Sequence, residues 1–327
     1  MSDSNNVRAA SVPNYDDSGE AIASGANDIV VVKQTDGSFQ ATTLDVKVGK
    51  MTNFSTMVHS REGRKVKIQV NNLFVLENTV IEIGDSGSAF IMRPERSINF
   101  TSKEIEDMNL KEGMNEAAFV VEDLSLKIPF AIYLLNQNNR LVFTDVDGTI
   151  TTADVKGFIG GVMGFDVHHD GAVELFEKVD KNGYTMIYLS ARPMGAFNED
   201  TRQYLFETLR PNDKGFNLPI APLLLSNVLL LEGAMEAADP SDTKAATIKS
   251  IVDMFDLKEH VVSAGYGNQD SDAKAYVKSG IEERKVFIVN STSKMVNYGT
   301  GEGTSYKEHV QNIDSMYPRL RTGITDL

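Results

Sequence analysis

The sequence predicts an all-β part followed by an α/β part with a parallel sheet. Residues 28–138 contain short β-branched runs separated by turn signals, a pattern typical of a β-sandwich. From Leu141 onwards, strand-like runs alternate with segments of helical periodicity, which is typical of a parallel sheet covered on both faces. We therefore expect a flexible tail at residues 1–27, a β-sandwich at 28–138 and an α/β unit at 139–327.

Individual signals support the elements of the first part. The dipeptide at 36–37, Asp-Gly, separates two β-branched runs as the turn of a hairpin does. A second turn signal, Gly-Asp-Ser-Gly, occupies residues 84–87, and AAFVVEDLSLKIPFAIYLL supplies two further strands. Thr101 followed by Glu104 is a capping-box pair, which predicts one short helix. Residues 1–27 are polar and lack periodicity, which predicts the tail.

The α/β part reads as a regular alternation. In chain order the predicted elements are the strand LVFTDV, the helix VHHDGAVELFEKVDKNG, the strand YTMIYLSA, the helix EDTRQYLFETLR, the strand-like LPIAPLLLSNVLLL, the helix DPSDTKAATIKSIVDMF, the strand HVVSAGYG, the helix DSDAKAYVKSG and the strand KVFIVN. His168 and His169 stand at a helix entry, and we interpret them as capping or surface residues.

Composition excludes several classes of function. Of the 327 residues 41% are hydrophobic and 24% charged, as in soluble globular proteins. No apolar run reaches the roughly 18 residues of a transmembrane span. The net charge of −14 argues against general nucleic-acid binding. The chain has no cysteine, so disulfides and thiolate metal sites are excluded, and the absence of a secretory signal favours the cytosol.

Polar clusters follow the predicted strands and open one helix. They are Asp145, Asp147, Gly148 and Thr149 after the first strand, Ser190, Ala191 and Arg192 after the second, Lys244 at the start of the third helix, and Asn268 with Asp272 after the strand ending at Gly267. Because ligands bind beyond the carboxyl ends of strands in such sheets, all four clusters can face one crevice.

The clusters suit phosphoryl transfer. Asp145 and Asp147 end a buried strand, where two like charges need a compensating cation or reacting group. Asp145 can attack phosphorus, and Asp147 can protonate the leaving alkoxide and then deprotonate water. Gly148 allows a close backbone approach, while Ser190 and Lys244 can hold the equatorial phosphate oxygens.

A magnesium ion would complete the charge balance of these groups. Its oxygen ligands would come from Asp145, the backbone carbonyl of Asp147 and a side chain at position 268 or 272. Taken singly, each cluster has a plainer interpretation. A lone DxDG is often a turn or a calcium-loop fragment, Ser190 a strand-end cap, Lys244 a solvated helix residue and residues 268–272 an N-cap loop. The ordered set of four is harder to explain in that way.

A basic segment interrupts the acidic sequence in the first part. HSREGRKVKIQ brings His59, Arg61, Arg64, Lys65 and Lys67 together, with Lys47 and Lys50 just upstream. This segment is either a docking patch for an anionic membrane or a solvated hairpin.

The four clusters resemble those of the haloacid-dehalogenase-like phosphatases. More narrowly, DVDGTITTADVKGFIG, KNGYTMIYLSARPMG with TRQYLF, LPIAPLLLS and AGYGNQDSDAKAYVKSGI resemble the lipin-type, Mg²⁺-dependent phosphatidate phosphatases. Upstream, GANDIVVVKQTDGSFQATTLDVKVGKM, SRE at 60–62 and IGDSGSAFIM resemble the family's amino-terminal conserved region, and TSKEIEDMNLKEGMNEAAFVV the start of its carboxyl-terminal one. The resemblance covers residues 25–320, and the two regions are nearly contiguous, as in a compact member.

The resemblance implies dephosphorylation of phosphatidate to diacylglycerol by a peripheral membrane enzyme with an immunoglobulin-like β domain. It implies Asp145 as nucleophile and Mg²⁺ ligand, Asp147 as acid/base, and Ser190 and Lys244 as phosphate-binding residues. Asn268 is the implied metal ligand, with Asp272 as the alternative or a supporting residue. Arg192 is the implied lipid-phosphate contact. The expected location is the cytoplasm, with reversible association to an internal membrane such as the endoplasmic reticulum.

Two features depart from the family pattern. Residues 1–27 carry Pro13, Asp16 and Asp17 and little apolar periodicity, unlike the amphipathic helix with which members dock on membranes. We expect loops around Met163–His169 and Gly195–Glu199, together with the basic segment, to contact the membrane. KGFIG, at residues 156–160, replaces the leucine-rich coactivator motif, so we expect no coactivator role. Two other functions stay open: a phosphatase of the same superfamily for soluble substrates, and a non-catalytic phosphatidate sensor.

Overall fold

The β-rich part comes first in the chain. A computed structural model describes residues 14–15, 21–52, 56–57, 62–152, 168–194, 201–202, 204–208, 215–226 and 239–320. The first twelve strands are β1 (Asn14–Tyr15), β2 (Ala21–Ala26), β3 (Ile29–Lys33), β4 (Phe39–Ala41), β5 (Val46–Thr52), β6 (Thr56–Met57), β7 (Lys67–Val70), β8 (Leu73–Val75), β9 (Ile81–Ile83), β10 (Ala89–Ile91), β11 (Gly113–Val121) and β12 (Leu126–Asn136). Helix α1 (Ser102–Asp107) lies between β10 and β11, and a 3₁₀ turn (Glu122–Leu124) joins β11 to β12.

These strands form a six-stranded sheet and two smaller ones. The sheet orders are β4-β3-β12-β11-β7-β8, β1-β2-β5-β6 and β10-β9. All neighbours are antiparallel except β3 and β12, which run parallel. An apolar core fills the space between the sheets, with Phe119 of β11 stacked on Phe130 of β12 at 4.1 Å between ring centroids. Layered sheets around one core agree with the short β-branched runs and turn signals that predicted them.

The predicted flexible tail is wrong in its last part. Residues Ala21–Ala26 form β2, which pairs antiparallel with β5, and Ala26 is buried. The segment contains Ala, Ser and Gly, which have weak strand propensity, so its pairing with β5 is what makes it a strand. Asn27, the last residue of the predicted tail, is buried as well, whereas residues 1–13 and 16–20 lie outside the described residues.

The α/β part continues the chain without a long linker. Its strands are β13 (Leu141–Asp145), β14 (Thr185–Pro193), β15 (Leu223–Ser226), β16 (Val262–Gly267), β17 (Val286–Val289), β18 (Met295–Asn297) and β19 (Gly303–Thr304). Its helices are α2 (Ala172–Lys181), α3 (Pro240–Val252), α4 (Lys258–Val261), α5 (Asp270–Lys278), α6 (Tyr306–Gln311) and α7 (Ile313–Met316), with a π-helical turn (Tyr204–Thr208) and a 3₁₀ turn (Glu283–Lys285).

One seven-stranded sheet organises this part, in the order β15-β14-β13-β16-β17-β18-β19. The first five strands are parallel, and β18 and β19 are antiparallel additions that the sequence pattern did not predict. One face packs on α2, α6 and α7, and the other on α3 and α5. The mixed α/β class is therefore confirmed, whereas the haloacid-dehalogenase-like and immunoglobulin-like assignments stay predictions.

Helix starts follow the local signals, with one exception. The capping box of Thr101 and Glu104 is present at α1, and the Asp239 carboxylate accepts the Ser241 N–H at the start of α3. Helix α2 begins at Ala172 instead of near Val167, because Gly171 precedes it in a left-handed conformation. The predicted helix at 199–210 and the end of the predicted strand at 218–231 lie partly outside the described residues.

The β-rich part is hydrogen-bonded to the edge of the seven-stranded sheet. The Asn27 side chain accepts the Leu225 N–H at 2.7 Å and donates to the Leu225 carbonyl at 3.1 Å. The buried Asp28 carboxylate accepts the Leu223 N–H at 2.8 Å. Strand β3 is buried on both faces, since its Val31 packs in the β-rich core and its Val30 against the α/β part. Within the part of the chain that the structure describes, no helix combines the length and the apolarity of a membrane span.

Candidate active site

The candidate site lies where β13 ends in the middle of the seven-stranded sheet. Strand β13 has β14 on one side and β16 on the other, so the sheet is extended from β13 first in one direction and then in the opposite one. Such a switch point leaves a crevice beyond the carboxyl ends of the strands. Asp145 is the last residue of β13, and its side chain is buried in this crevice.

Asp145 is paired with a cation and crowded by acids. Its Oδ1 accepts a hydrogen bond from Nζ of Lys244 at 2.7 Å, and its Oδ2 accepts one from the Thr149 hydroxyl at 3.4 Å. Burial raises the pKa of Asp145 to about 7; Lys244 opposes this rise, while Asp272 and Asp147 add to it. A further cation beside this carboxylate would favour its ionised, nucleophilic form.

Lys244 joins Asp145 to Asp272. Its Nζ, on the first turns of α3, also donates to Oδ1 of Asp272 at 2.5 Å. Burial lowers the pKa of Lys244, but the two carboxylates outweigh it and leave the pKa above its usual value. Oδ2 of Asp272 accepts the backbone N–H groups of Asn268 and Gln269, both at 3.0 Å. Both oxygens of Asp272 are thus engaged, one by a cation and one by the start of α5.

Asp147 is held by Arg192. Nε and Nη2 of the guanidinium donate to the two carboxylate oxygens at 3.0 and 2.7 Å, which is a bidentate pairing. The Ser190 hydroxyl lies 3.5 Å from Oδ2 of Asp147 and accepts the Arg192 N–H at 3.2 Å. Arg192 therefore contacts the second carboxylate of the site, while Ala191, between these residues, is exposed.

The loop after β13 is shaped by Gly148. This residue has φ +80°, a left-handed conformation that favours glycine, and its N–H donates to the Thr151 hydroxyl at 3.0 Å. Its Cα packs on the side-chain amide of Asn268, and a Cβ there would collide with that amide. The structure thus links nine of the ten predicted residues by hydrogen bonds or contacts beyond the carboxyl ends of the strands, whereas Ala191 is exposed.

Comparison with known proteins identifies the relatives of this chain. The family model described as LNS2 (Lipin/Ned1/Smp2) matches residues 96–318, which is more than half of the chain. The model of the lipin N-terminal conserved region matches residues 6–112.

This chain belongs to the lipin family.

Curated relatives of this lipin-family protein are named as phosphatases. It is 30% identical to phosphatidate phosphatase LPIN2 of Homo sapiens over 233 residues, 69% of this chain and 26% of the relative. It is 30% identical to phosphatidate phosphatase PAH1 of Arabidopsis thaliana over 235 residues, 69% of this chain and 24% of the relative. With phosphatidic acid phosphohydrolase 1 of Saccharomyces cerevisiae the identity is 27%, over 71% of this chain and 28% of the relative. The chain spans about a quarter of the length of these relatives.

Charge in this lipin-family site fits a divalent cation. Three carboxylates (Asp145, Asp147 and Asp272) face two cationic side chains (Lys244 and Arg192), which leaves a formal charge of one negative unit. A divalent cation would reverse that sign and favour a phosphate dianion. Among the described residues no group of three or more His, Cys, Asp or Glu could hold a metal ion, so backbone and amide oxygens would have to complete the ligand set.

His169 is a site-supporting residue that the sequence interpretation missed. It is buried and not at the surface as expected, and its Nε2 donates to the Gly148 carbonyl at 3.1 Å. Its Nδ1 accepts from the Ser293 hydroxyl at 2.8 Å. This tautomer follows from the partners, since a carbonyl can only accept. Burial lowers the pKa of His169, which agrees with a neutral ring. Tyr306 supports the same loop through its hydroxyl, which donates to the Thr149 carbonyl at 2.8 Å.

Part of the basic segment is paired with acids or buried, while Lys65 is exposed, so both interpretations of this segment stay predictions. Arg64 pairs with Asp123 at 2.5 Å and Lys67 with Glu122 at 2.7 Å, while Lys47 is buried. These cations are therefore offset by neighbouring acids or removed from the surface. His59, Arg61 and the loops expected at the membrane, 163–167 and 195–199, lie outside the described residues, as does KGFIG.

Proposed function

We propose that this protein is a Mg²⁺-dependent phosphatidate phosphatase that acts through a phosphoaspartyl intermediate on Asp145. The observation that carries this proposal is the buried pairing of Asp145 with Lys244 beside the second acid, Asp147, at the switch point of the sheet. Lipin-family membership and relatives named as phosphatidate phosphatases support the substrate class.

The chain's own groups would divide the chemistry as follows. Asp145 attacks phosphorus and forms the acyl phosphate, while Asp147 donates a proton to the departing diacylglycerol alkoxide. Asp147 then takes a proton from water, which attacks the acyl phosphate and releases inorganic phosphate and free Asp145. Lys244 and the Ser190 hydroxyl stabilise the equatorial oxygens, with the backbone of Gly148 and Thr149 close by. Arg192 carries a second cationic contact for the phosphate.

Mg²⁺ would be held by Asp145, the Asp147 backbone carbonyl and the Asn268 side chain. When bound, it supplies positive charge that favours ionised Asp145 and neutralises the phosphate. We assign Asp272 a supporting role, because its oxygens already hold Lys244 and two backbone N–H groups. A residue of this kind does not bind the metal itself but holds the metal ligands and the lysine in position.

We further propose a haloacid-dehalogenase-like catalytic unit at 139–327 and an immunoglobulin-like β unit, predicted at 28–138 and extended to Ala21 by β2. The hydrogen bonds of Asn27 and Asp28 to β15 support a fixed attachment of the two units. The proposed location is the cytoplasm, with reversible association to an internal membrane such as the endoplasmic reticulum. The membrane association follows from the proposed substrate, which is insoluble in water.

The deciding experiment is phosphate release from phosphatidate in mixed micelles with and without Mg²⁺. Asp145→Asn should lower turnover by a factor on the order of 10³ or more, because the nucleophile is lost. Asp314→Asn, at an exposed position on α7, is the matched control and should leave the rate unchanged. Faster hydrolysis of soluble sugar phosphates would instead indicate a soluble-substrate phosphatase. Binding of phosphatidate without any turnover by the wild type would indicate a sensor.

A further inference from the structure

The Arg192 guanidinium is fixed at all three of its nitrogens. Two of them hold the Asp147 carboxylate, as described above, and the third, Nη1, donates to the Thr201 hydroxyl at 3.0 Å. The Thr201 side chain is fully buried, so water does not replace this acceptor. Arg192 is therefore placed between an acid of the site and a threonine to which the sequence motifs assigned no role of its own.

The residue after Thr201 is anchored in the β-rich part. Nη2 of Arg202 donates to Oδ1 of Asp28 at 2.7 Å, and the Asp28 side chain is fully buried. The same carboxylate accepts the backbone N–H of Ala131 at 2.7 Å and that of Leu223 at 2.8 Å. Strands β12 and β15 thus hold Asp28, and Asp28 holds Arg202. Thr201 and Arg202 are consequently fixed from two directions.

This arrangement matters because Asp147 is not oriented by Asp145. The two carboxylates carry like charge and repel, so the direction of Asp147 depends on its cationic partner. A planar guanidinium fork sets the plane of a carboxylate only while the guanidinium itself is fixed. Without the Thr201 hydroxyl, Nη1 of Arg192 would lose its acceptor, and the fork could rotate away together with Asp147.

We propose that Thr201 is a positioning residue for the reaction: through Arg192 it orients Asp147 for proton transfer, and the Arg202–Asp28 ion pair anchors it. This inference rests on the proposed acid/base role of Asp147. It assigns a residue of the β-rich part, Asp28, to the support of the active site across a sequence separation of 174 residues. Misplacement of a reacting group by about 1 Å can lower a rate by a factor on the order of 10².

The primary test compares Thr201→Val with Thr201→Ser in the full chain. Valine preserves the shape but removes the hydroxyl, whereas serine preserves the hydroxyl and removes a methyl group. We expect Thr201→Val to lower kcat for phosphatidate by about 10-fold or more with KM within about twofold of the wild type. Thr201→Ser should restore most of the rate. A purely structural role would lower the melting temperature of both variants without this split.

The leaving group supplies a second readout. The first turnover of an aryl phosphate such as p-nitrophenyl phosphate needs little proton donation, because the phenolate is a stable leaving group. Thr201→Val should therefore slow the first turnover of phosphatidate more than that of p-nitrophenyl phosphate. Equal slowing of both substrates would overturn the inference.

A double-mutant cycle tests the link to Asp28. If Thr201 and Asp28 act through one chain of contacts, Asp28→Asn should also lower kcat, and the double variant should lose little more than the slower single one. Independent, multiplicative losses would overturn the proposed anchoring. If Thr201→Val hydrolyses phosphatidate within twofold of the wild-type rate, the inference as a whole is overturned. An active Asp145→Asn enzyme would instead overturn the proposed function.

Discussion

The Cα of Gly148 is in direct contact with the side-chain amide of Asn268, and this contact joins the loop after β13 to the loop before α5. Gly148 has φ +80°, so residue 148 meets both a conformational and a steric requirement for glycine. The proposed metal ligands come from these two loops. Their spacing therefore depends on the absence of a side chain at position 148.

Gly148→Ala should abolish most of the Mg²⁺-dependent activity, because a Cβ would displace Asn268. Gly280→Ala is the matched control, since Gly280 has φ +87° with open space around its Cβ position. Both variants carry backbone strain of about 1–2 kcal/mol, but only the first carries the collision. The measurement is phosphate release over a Mg²⁺ titration. Equal rates for the two alanine variants would show that the contact with Asn268 is unimportant.

Lys244→Met should destabilise the protein most when divalent cations are absent. The substitution leaves Asp145 and Asp272 buried without their shared cation, which costs about 3 kcal/mol. Adding Asp272→Asn should recover part of the loss, because one of the two charges is removed. Urea unfolding in a chelating buffer measures both effects, with Lys274→Met, an exposed i,i+4 partner of Asp270, as control. A loss no larger than the control's would contradict the prediction.

His309 should make stability depend on pH below neutrality. Its buried ring lies 3.0 Å from the Tyr266 hydroxyl, and burial lowers its pKa to about 4 from 6.5. The unfolded chain therefore binds the proton first, and stability is full above pH 6.5 and falls as the pH decreases towards 4. The wild type should lose about 3 kcal/mol more than His309→Gln between pH 7 and pH 4.

Urea unfolding at several pH values checks the His309 prediction. His260→Gln serves as control, because it removes an exposed histidine on α4 and leaves the buried ring of His309 in place. Parallel stability curves for the wild type and His309→Gln would show that this ring does not titrate during unfolding.

Asn27→Ala should weaken the attachment of the β-rich part to β15. Asn27 donates to Asp45 at 2.9 Å and exchanges two hydrogen bonds with Leu225, whose N–H would lose its acceptor. We expect a loss of about 2–3 kcal/mol in the free energy of unfolding. Gln40→Ala is the control, since Gln40 is exposed on β4 at the edge of the six-stranded sheet. This control should change the free energy of unfolding by less than about 0.5 kcal/mol. Limited proteolysis should cut the Asn27 variant faster, and identical cleavage rates would argue against this attachment.

Local signals account for the parts of the fold that could be predicted. The capping box of Thr101 and Glu104 and the Asp239-Pro240 pair each act within a few residues, so the helix starts they predict are present. Strands β18 and β19 escaped prediction because they are three and two residues long, and because β18 depends on pairing with β17 and β19 on pairing with β18. Strand β2 escaped it because its small residues acquire strand structure only beside β5.

The same distinction applies to the site. The rule that ligands bind at strand ends selected Asp145, Ser190 and Asn268, because each directly follows or ends an apolar run that the sequence displays. Thr201 stood in the stretch TRQYLF without a role of its own, and His169 was interpreted as a capping or surface residue, because their partners Arg192 and Gly148 are reached only after folding.

By itself the amino-acid sequence determined the order of a β-rich and an α/β part, and the kinds of side chain available for phosphate and cation chemistry. Apolar periodicity and strand-end polarity act over a few residues and can be read along the chain. Only the tertiary structure decided which acid pairs with which cation: Lys244 with Asp145 and Asp272, Arg192 with Asp147, and Arg202 with Asp28. The reason is physical, because the strength of a charge pair depends on distance and burial, and both arise when the sheet and its helices pack.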